Sequence, residues 1–151
     1  MQITAVEPES LRRAVQTGKV TLGSVARGPL GNWGVPIRAP VIRDGKVVYV
    51  LSVILKTSPL DALLANFPVP PDWIAMIADA NGVIVARSKD PEHKVGHPIS
   101  ASALEAVKSR QSGIRSATTI EGKKVILLIR YRRSPDGQFI SVFQRRSIGN
   151  P

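Results

Sequence analysis

The stretch IADANGVIVARSKDPEHKVG, which runs from Ile77 to Gly96, decides the fold of this chain. Two apolar runs flank Asn81-Gly82, a dipeptide typical of a two-residue hairpin turn. The second run ends at Arg87, and a charged segment with one histidine follows it. We therefore predict two antiparallel strands joined at Asn81-Gly82, and then a polar loop that continues to Pro98.

Downstream of this hairpin the sequence predicts one helix and three strands. The segment ISASALEAVKSRQSG has helical spacing, with Ser100 or Ser102 as a candidate cap and Gly113 as the stop signal. Turns at Glu121-Gly122 and Asp136-Gly137 then separate three apolar runs. Because the strands come in hairpin-linked groups rather than a βαβ series, the pattern predicts an α+β domain with a five-stranded antiparallel sheet and flanking helices.

Upstream of the hairpin, the sequence repeats part of the same plan as a helix plus three strands. EPESLRRAVQTGK predicts a helix that ends at Gly18, KVTLGSVARG predicts one short strand, and a hairpin from Trp33 to Leu55 turns at Asp44-Gly45. The second arm of this hairpin is apolar on both faces, which predicts a central strand that is covered on both sides. Pro36 and Pro40 push the first arm towards an edge.

Composition limits the classes of function. The chain has 151 residues, no cysteine and a formal net charge of +10, so disulfides and thiolate chemistry are excluded and anionic partners are favoured. The densest basic cluster is Arg130, Arg132 and Arg133, with Arg145 and Arg146 further on. A solvated basic surface is the simpler interpretation, and a nucleic-acid-binding module is the alternative. No apolar run is long enough to cross a membrane and no signal peptide is evident, so we expect a soluble cytoplasmic protein or a soluble piece of a longer one.

No motif for nucleotide binding, metalloprotease chemistry or a serine nucleophile occurs in the sequence. His93 and His97 are four residues apart, as in a helical metal pair, but Pro91 and Gly96 indicate a loop there. We therefore expect no enzyme activity, no metal site and no cofactor.

Three polar or aromatic residues at strand ends are the candidate ligand contacts. Arg87 ends an apolar strand and could fork two hydrogen bonds onto a carboxylate or phosphate, although a surface arginine paired with Asp79 or Asp90 is the simpler interpretation. Tyr131 could supply a pocket hydroxyl, and Trp73, at the start of its strand, could form a pocket wall. Both are more often core residues in such positions.

These features together resemble a known family. PPDWIAMIADANGVIVARSKDPEHKVGHPIS resembles the membrane-proximal lobe of Cache sensor domains, which are PAS-like extracytoplasmic modules of bacterial sensor histidine kinases, diguanylate cyclases and chemoreceptors. The resemblance depends on Asp79 to Gly82, on Ala86-Arg87-Ser88 and on Val95-Gly96. The upstream stretch resembles the end of the membrane-distal lobe, so the likeness extends from Glu7 to Phe143.

The resemblance implies a division of the chain into four parts. Residues 1–57 would be the C-terminal half of a membrane-distal PAS-like lobe, and residues 58–71 a helix and a proline-rich connector. Residues 72–146 would form the membrane-proximal PAS-like lobe, and residues 147–151 a tail. The chain would then be the periplasmic part of an inner-membrane receptor and would meet the membrane only through flanking segments. Otherwise we expect a cytoplasmic location.

The resemblance also implies a function. The chain would be a ligand-sensing domain of the sensor histidine kinase type that binds a small, anionic metabolite, such as a carboxylate or an amino acid, and passes on a conformational signal. Arg87 would clamp the anion, with Tyr131 and Trp73 as walls. Nucleic acid is not the expected partner on this interpretation. A basic nucleic-acid-binding module, and an interaction or homodimerisation domain without a small ligand, remain the alternatives.

Overall fold

The computed structural model describes residues 6–109, 111–119, 122–131 and 139–146, with only the backbone described at residue 131 and at 139–146. The chain forms two compact units, one ending at Thr57 and the other beginning at Ser58. The helices are α1 (Pro8–Thr17), α2 (Ser58–Ala65), α3 (Pro91–Lys94) and α4 (Ala101–Lys108). The strands are β1 (Thr21–Leu22), β2 (Ala26–Arg27), β3 (Trp33–Arg43), β4 (Lys46–Lys56), β5 (Trp73–Asp79), β6 (Ile84–Arg87), β7 (Gly113–Thr118), β8 (Lys124–Tyr131) and β9 (Phe139–Arg146).

The second unit is built on one five-stranded sheet. Its strand order is β6-β5-β9-β8-β7, and every neighbouring pair is antiparallel. The last strand in the chain, β9, therefore lies at the centre of the sheet, between β5 and β8. This arrangement confirms the predicted α+β, PAS-like fold with flanking helices. The predicted turn at Asp136-Gly137 lies outside the described residues.

The turn between β5 and β6 is organised by Asp79. Its buried carboxylate accepts the backbone N–H groups of Asn81 and Val83, each at 2.9 Å. Gly82 adopts a φ of 77°, a left-handed conformation that favours glycine, and its N–H donates to the Asp79 carbonyl at 2.9 Å. The predicted hairpin is therefore present, and the Asp-x-x-Gly spacing has a direct structural reason.

An irregularity in strand β6 fixes which side chains share a face. Arg87 lies opposite Met76 and Ala86 opposite Ile77, but the register then shifts so that Ile84 lies opposite Ala78. This β-bulge breaks simple alternation along β6. Arg87 consequently belongs to the face of Met76, and it shares that face with Ile84.

The segment after β6 differs from the predicted polar loop in two ways. It contains the single helical turn α3, and residues 96–99 then run beside β6. The Ile84 N–H donates to the His97 carbonyl at 2.9 Å, and the Gly96 N–H donates to the Ile84 carbonyl at 2.8 Å. The Val95-Gly96 pair therefore turns the chain back onto the sheet, where Val95 is buried and Gly96 has a φ of 83°.

The helices of the second unit cover opposite faces of its sheet. On one face α2 contributes Leu60 and Leu64, which pack with Ala75, Ala86 and Ile77. Helix α2, which the sequence predicts as a helix before a proline-rich connector, is therefore part of this unit's core. On the other face lies α4, capped by the Ser100 hydroxyl, which accepts the Ala103 N–H at 3.3 Å. Helix α4 ends at Lys108, before the predicted stop signal at Gly113. Gly113 is instead the first residue of β7.

The first unit begins with α1, which is anchored by buried polar contacts. The Glu7 carboxylate caps the helix by accepting the Ser10 N–H, and Gly18 ends it with a φ of 64°. Arg38 on β3 is buried; its guanidinium donates to the Ser10 hydroxyl at 3.3 Å and to the Glu7 carbonyl at 3.2 Å. These bonds hold α1 against β3.

The strands of the first unit correct two predictions. The single short strand expected before the hairpin is two strands, β1 and β2, which pair with successive parts of β3. The break between them lies opposite Pro36, whose carbonyl accepts the Gly23 N–H at 2.8 Å. The N–H and C=O of one residue point to the same side of a strand, so the N–H position of Pro36 also faces the segment between β1 and β2. Because proline has no N–H, this segment lacks one hydrogen-bond donor from β3. Pro36 therefore interrupts the neighbour of β3, and β3 is not at an edge because it pairs with β1, β2 and β4.

The prediction that the second arm of this hairpin is central and covered was wrong. Among the described residues β4 pairs only with β3, so it is an edge strand. Its apolar side chains are exposed on both faces: Val48, Tyr49, Leu51, Val53, Ile54 and Leu55. The pattern correctly identified a strand with two apolar faces, but within the first unit most of its apolar side chains stay exposed.

Candidate functional site

A cavity of about 520 Å³ lies on the α4 side of the sheet in the second unit. The described side chains of its floor are apolar and come from β5, β6, β7 and β8: Ile74, Met76, Ile84, Ala117, Val125 and Leu127. Ile99, Ser100 and Ala103, at the start of α4, line the opposite wall. The cavity is therefore bounded by the sheet below and by the α3–α4 segment above, and its volume is in the range of small-molecule sites.

Cationic side chains dominate the polar part of this cavity. Its described lining includes Arg87, Lys89, Lys94 and Lys123, whereas Asp72 is the one carboxylate among the same described residues. The hydroxyl residues Ser100 and Thr119 complete the polar lining. Such a surplus of cations favours an anionic occupant, because a charged ligand loses hydration that the lining must replace.

Arg87 is held in place from two directions. Its backbone N–H donates to Asp61 on α2 at 2.9 Å, and its guanidinium donates to the Lys89 carbonyl at 2.7 Å. Burial raises the pKa of the Asp61 carboxyl, while the hydrogen bond from Arg87 opposes this effect. The next residue, Ser88, continues the β5 ladder, since its hydroxyl accepts the Ala75 N–H at 3.0 Å.

The loop beyond Arg87 fixes two further cations at the cavity. The Lys89 ammonium donates to the Pro71 carbonyl, which ties this loop to the start of β5. Lys94 lies in α3, whose first turn carries a pair between Asp90 and His93 with 2.6 Å between Oδ1 and Nδ1. The hydrogen bond to the Asp90 carboxylate raises the pKa of His93, and the same bond lowers the pKa of Asp90.

The structure brings one of the three predicted site residues into the cavity. Arg87 lines it, opposite Met76. Trp73 does not belong to its described lining, because Ile74 and Met76 are the β5 residues that face the cavity and alternation directs Trp73 to the other face. This cavity therefore does not support Trp73 as a wall, and its role at a ligand site stays a prediction. The backbone of Tyr131 ends β8, and its side chain lies outside the described residues.

Sequence reasoning missed Lys89, Lys94 and Lys123. Lys89 and Lys94 are in the charged segment that the sequence predicts as a polar loop, and Lys123 follows the turn before β8. Their proximity results from the return of residues 96–99 beside β6 and from the pairing of β7 with β8. The alternation of Ile74 and Met76 with Trp73 was the available signal that Trp73 belongs to the opposite face.

Two searches across the described part of the chain gave negative results. No cluster of three or more potential metal-ligating side chains occurs in residues 6–109, 111–119 and 122–130. Within the described helices, none is long and apolar enough to cross a membrane.

Comparisons with solved structures identify domains with the same fold. The chain superimposes on the periplasmic sensory domain of the Campylobacter jejuni chemoreceptor Tlp1 with a TM-score of 0.76, 13% identity, and coverage of 92% of this chain and 55% of that one. The extracellular domain of mmHK1S-Z3, named as a putative histidine kinase, superimposes with a TM-score of 0.71 and 18% identity. The match covers 87% of this chain and 51% of that one. The ligand-binding domain of the Pseudomonas aeruginosa PAO1 amino acid chemoreceptor PctB, solved with L-Arg, superimposes with a TM-score of 0.66 and 17% identity. The match covers 90% of this chain and 58% of that one.

The sequence comparisons add no assignment of their own. No protein-family model matches the chain, and neither does any curated protein. The structural similarities nevertheless show that the chain has the fold of periplasmic sensory domains of chemoreceptors and histidine kinases. The chain spans about half the length of these solved domains.

Proposed function

We propose that this chain, which has the fold of periplasmic sensory domains, is the extracytoplasmic ligand-sensing part of a bacterial receptor of the sensor histidine kinase type. In this role it binds a small anionic metabolite and catalyses no reaction. It is located in the periplasm and reaches the inner membrane through flanking segments. Residues 1–57 belong to a membrane-distal lobe, and residues 72–146 form the membrane-proximal lobe.

The observation that carries this proposal is the cation-lined cavity between the sheet and α4. The shared fold alone fixes no ligand, since one fold hosts many functions. A cavity of about 520 Å³ with four cationic side chains and one carboxylate in its described lining is, by contrast, a property of this chain itself. Arg87 is the main anion clamp in the proposal, and Tyr131 stays a proposed source of a hydroxyl.

The topology of the sheet offers a route for the signal. The cavity floor includes side chains of β5 and β8, and β9 lies between these two strands and is hydrogen-bonded to both. A ligand that draws β5 and β8 towards α4 would favour one position of β9 over another. Because β9 is the C-terminal strand, that preference would reach whatever follows it in the receptor.

The test is a thermal-shift screen of carboxylates and amino acids, followed by titration of any compound that raises the Tm. A ligand at one hundred times its Kd should stabilise the domain by about 2.7 kcal/mol. Arg87→Ala should lose most of this shift. Arg130→Ala is the matched control, because it removes the same charge from an exposed position of the same sheet outside the cavity lining.

Two results would reject this assignment. If no carboxylate or amino acid raises the Tm, the proposed sensing function fails. If Arg87→Ala responds like Arg130→Ala, the clamp is misassigned even though a ligand binds.

The exposed hairpin of the first unit favours a second candidate function, which is homodimerisation without a small ligand. Among the described residues, strand β4 has an open edge of eleven residues, with apolar side chains on both faces. Unpaired edges of this kind template pairing with another strand. A second copy is the natural occupant, since an antiparallel edge is complementary to itself across a two-fold axis. Sedimentation analysis across protein concentrations tests this candidate.

A further inference from the structure

The cavity of the second unit separates apolar and charged side chains by depth. Four floor side chains are no more than 6% exposed: Met76, Ile84, Val125 and Leu127. The cations lie further out, with Lys89 and Lys123 exposed and with Arg87 and Lys94 half-buried. A ligand that fits this distribution has a charged end at the mouth and an apolar body against the floor.

The charged lining offers little to a zwitterion. An α-ammonium group needs a carboxylate or carbonyl acceptors, and Asp72 is the one carboxylate in the described lining. It is exposed and adjoins Pro71, whose carbonyl already accepts the Lys89 ammonium. An amino acid here would bring its cationic group close to Arg87 and Lys89, at an electrostatic cost.

The apolar floor also argues against small, fully polar anions. A compact carboxylate would reach the cations but would leave the apolar floor without contacts. A dicarboxylate long enough to fill the cavity would place one charge against buried apolar side chains such as Leu127, which is 1% exposed. A monoanion with an apolar body satisfies both parts of the described lining.

We infer that the ligand of this cavity is an amphipathic monocarboxylate, held by Arg87, Lys94 and Lys123 at the mouth, with an aromatic or aliphatic body on the floor around Met76. The inference rests on the proposed sensing function and specifies its ligand class. It distinguishes this site from binding of a zwitterionic amino acid.

A matched set of probes tests the inference by calorimetric titration of the full chain. 3-Phenylpropionate carries the carboxylate and the ring. L-Phenylalanine adds only an α-ammonium group, 3-phenylpropionamide removes the charge, and acetate removes the ring. We expect 3-phenylpropionate to bind at least tenfold more tightly than each of the other three. Succinate and L-aspartate complete the set as polar anions.

The floor contains a reporter for the site of binding. The chain has two methionines, Met1 and Met76, and Met76 lies on the floor. In a sample labelled at the methionine methyl carbons, 3-phenylpropionate should shift the Met76 signal through the ring current and leave the Met1 signal unchanged. Arg87→Gln should weaken binding at least tenfold, whereas Arg130→Gln should not, and circular dichroism checks that both variants are folded.

The possible outcomes distinguish failure of the inferred ligand class from failure of the proposed sensing function. Binding of L-phenylalanine, acetate or succinate as tight as that of 3-phenylpropionate overturns the ligand class but keeps an anion sensor. Binding of 3-phenylpropionate without a shift of Met76, or without an effect of Arg87→Gln, overturns the site. Absence of 3-phenylpropionate binding overturns the inference, whereas the thermal-shift screen of carboxylates and amino acids decides the sensing proposal separately.

Discussion

At the residue scale, each position in the stretch from Ile77 to Gly96 that suggested a sensor lobe has a structural task. Asp79 fixes the turn through two backbone hydrogen bonds, and Ser88 extends the β5 ladder with its hydroxyl. Arg87 differs from these two, because its side chain lines the cavity. The motif therefore combines residues that specify the fold with one residue whose side chain lines the cavity.

Asp79 should be the most sensitive of these positions to substitution. Asp79→Ala leaves the N–H groups of Asn81 and Val83 without their carboxylate acceptor and should lower the free energy of unfolding by about 2 kcal/mol. Urea unfolding followed by Trp73 fluorescence in a Trp33→Phe background measures this in the second unit. Glu105→Ala, an exposed acidic position on α4, is the control and should change stability by less than about 0.5 kcal/mol. Equal losses in the two variants would contradict this role.

At the element scale, the sequence predicted the order and type of the long elements but not what covers them. Hydrophobic periodicity identified β4 as a strand with two apolar faces, yet periodicity cannot show whether another element lies against those faces. The bulge in β6 could not be predicted from the sequence either, because an extra residue in a strand leaves no mark in its composition. The bulge removes the alternation that would place Arg87 and Val85 on the same face of the sheet. The lysines of the cavity were not predicted for a related reason. They come together only because residues 96–99 lie beside β6 and because β7 pairs with β8.

The contact between α1 and the strands of the first unit gives a prediction at this scale. A Cβ atom at Gly23 would clash with three side chains, those of Glu7 and Ser10 at the start of α1 and that of Pro36 on β3. Gly23→Ala should therefore force α1 away from β3 and cost about 1 to 3 kcal/mol of stability. Urea unfolding followed by Trp33 fluorescence in a Trp73→Phe background measures this loss.

Gly28→Ala is the control for this overpacking. The nearest atom to a Cβ there is the Asn32 carbonyl oxygen, at an ordinary 3.5 Å. It should change stability by less than about 0.5 kcal/mol. A Gly23→Ala protein as stable as the control would show that the close approach of α1 is not required.

At the scale of the whole molecule, two properties of the chain oppose one another. The net charge of +10 repels a second copy, whereas the exposed apolar hairpin of β3 and β4 attracts one. Of the basic cluster behind the nucleic-acid alternative, Arg130 is exposed on β8, while Arg132 and Arg133 lie outside the described residues. Salt acts on the two alternatives in opposite directions, because it screens repulsion between copies and also weakens contacts with phosphates.

Self-association should therefore increase with salt, if the hairpin is the interface. In sedimentation velocity at fixed protein concentration, we expect the dimer fraction to rise as salt is raised from low to physiological strength, where the screening length falls to about 8 Å. Leu51→Lys places a charge on the exposed edge strand and should abolish the dimer, whereas Leu30→Lys, the same change at an exposed position outside the hairpin, should not. Association that falls with salt, or equal behaviour of the two variants, would reject β4 as the interface. Binding to generic DNA that weakens steeply over the same salt range would instead favour the nucleic-acid alternative.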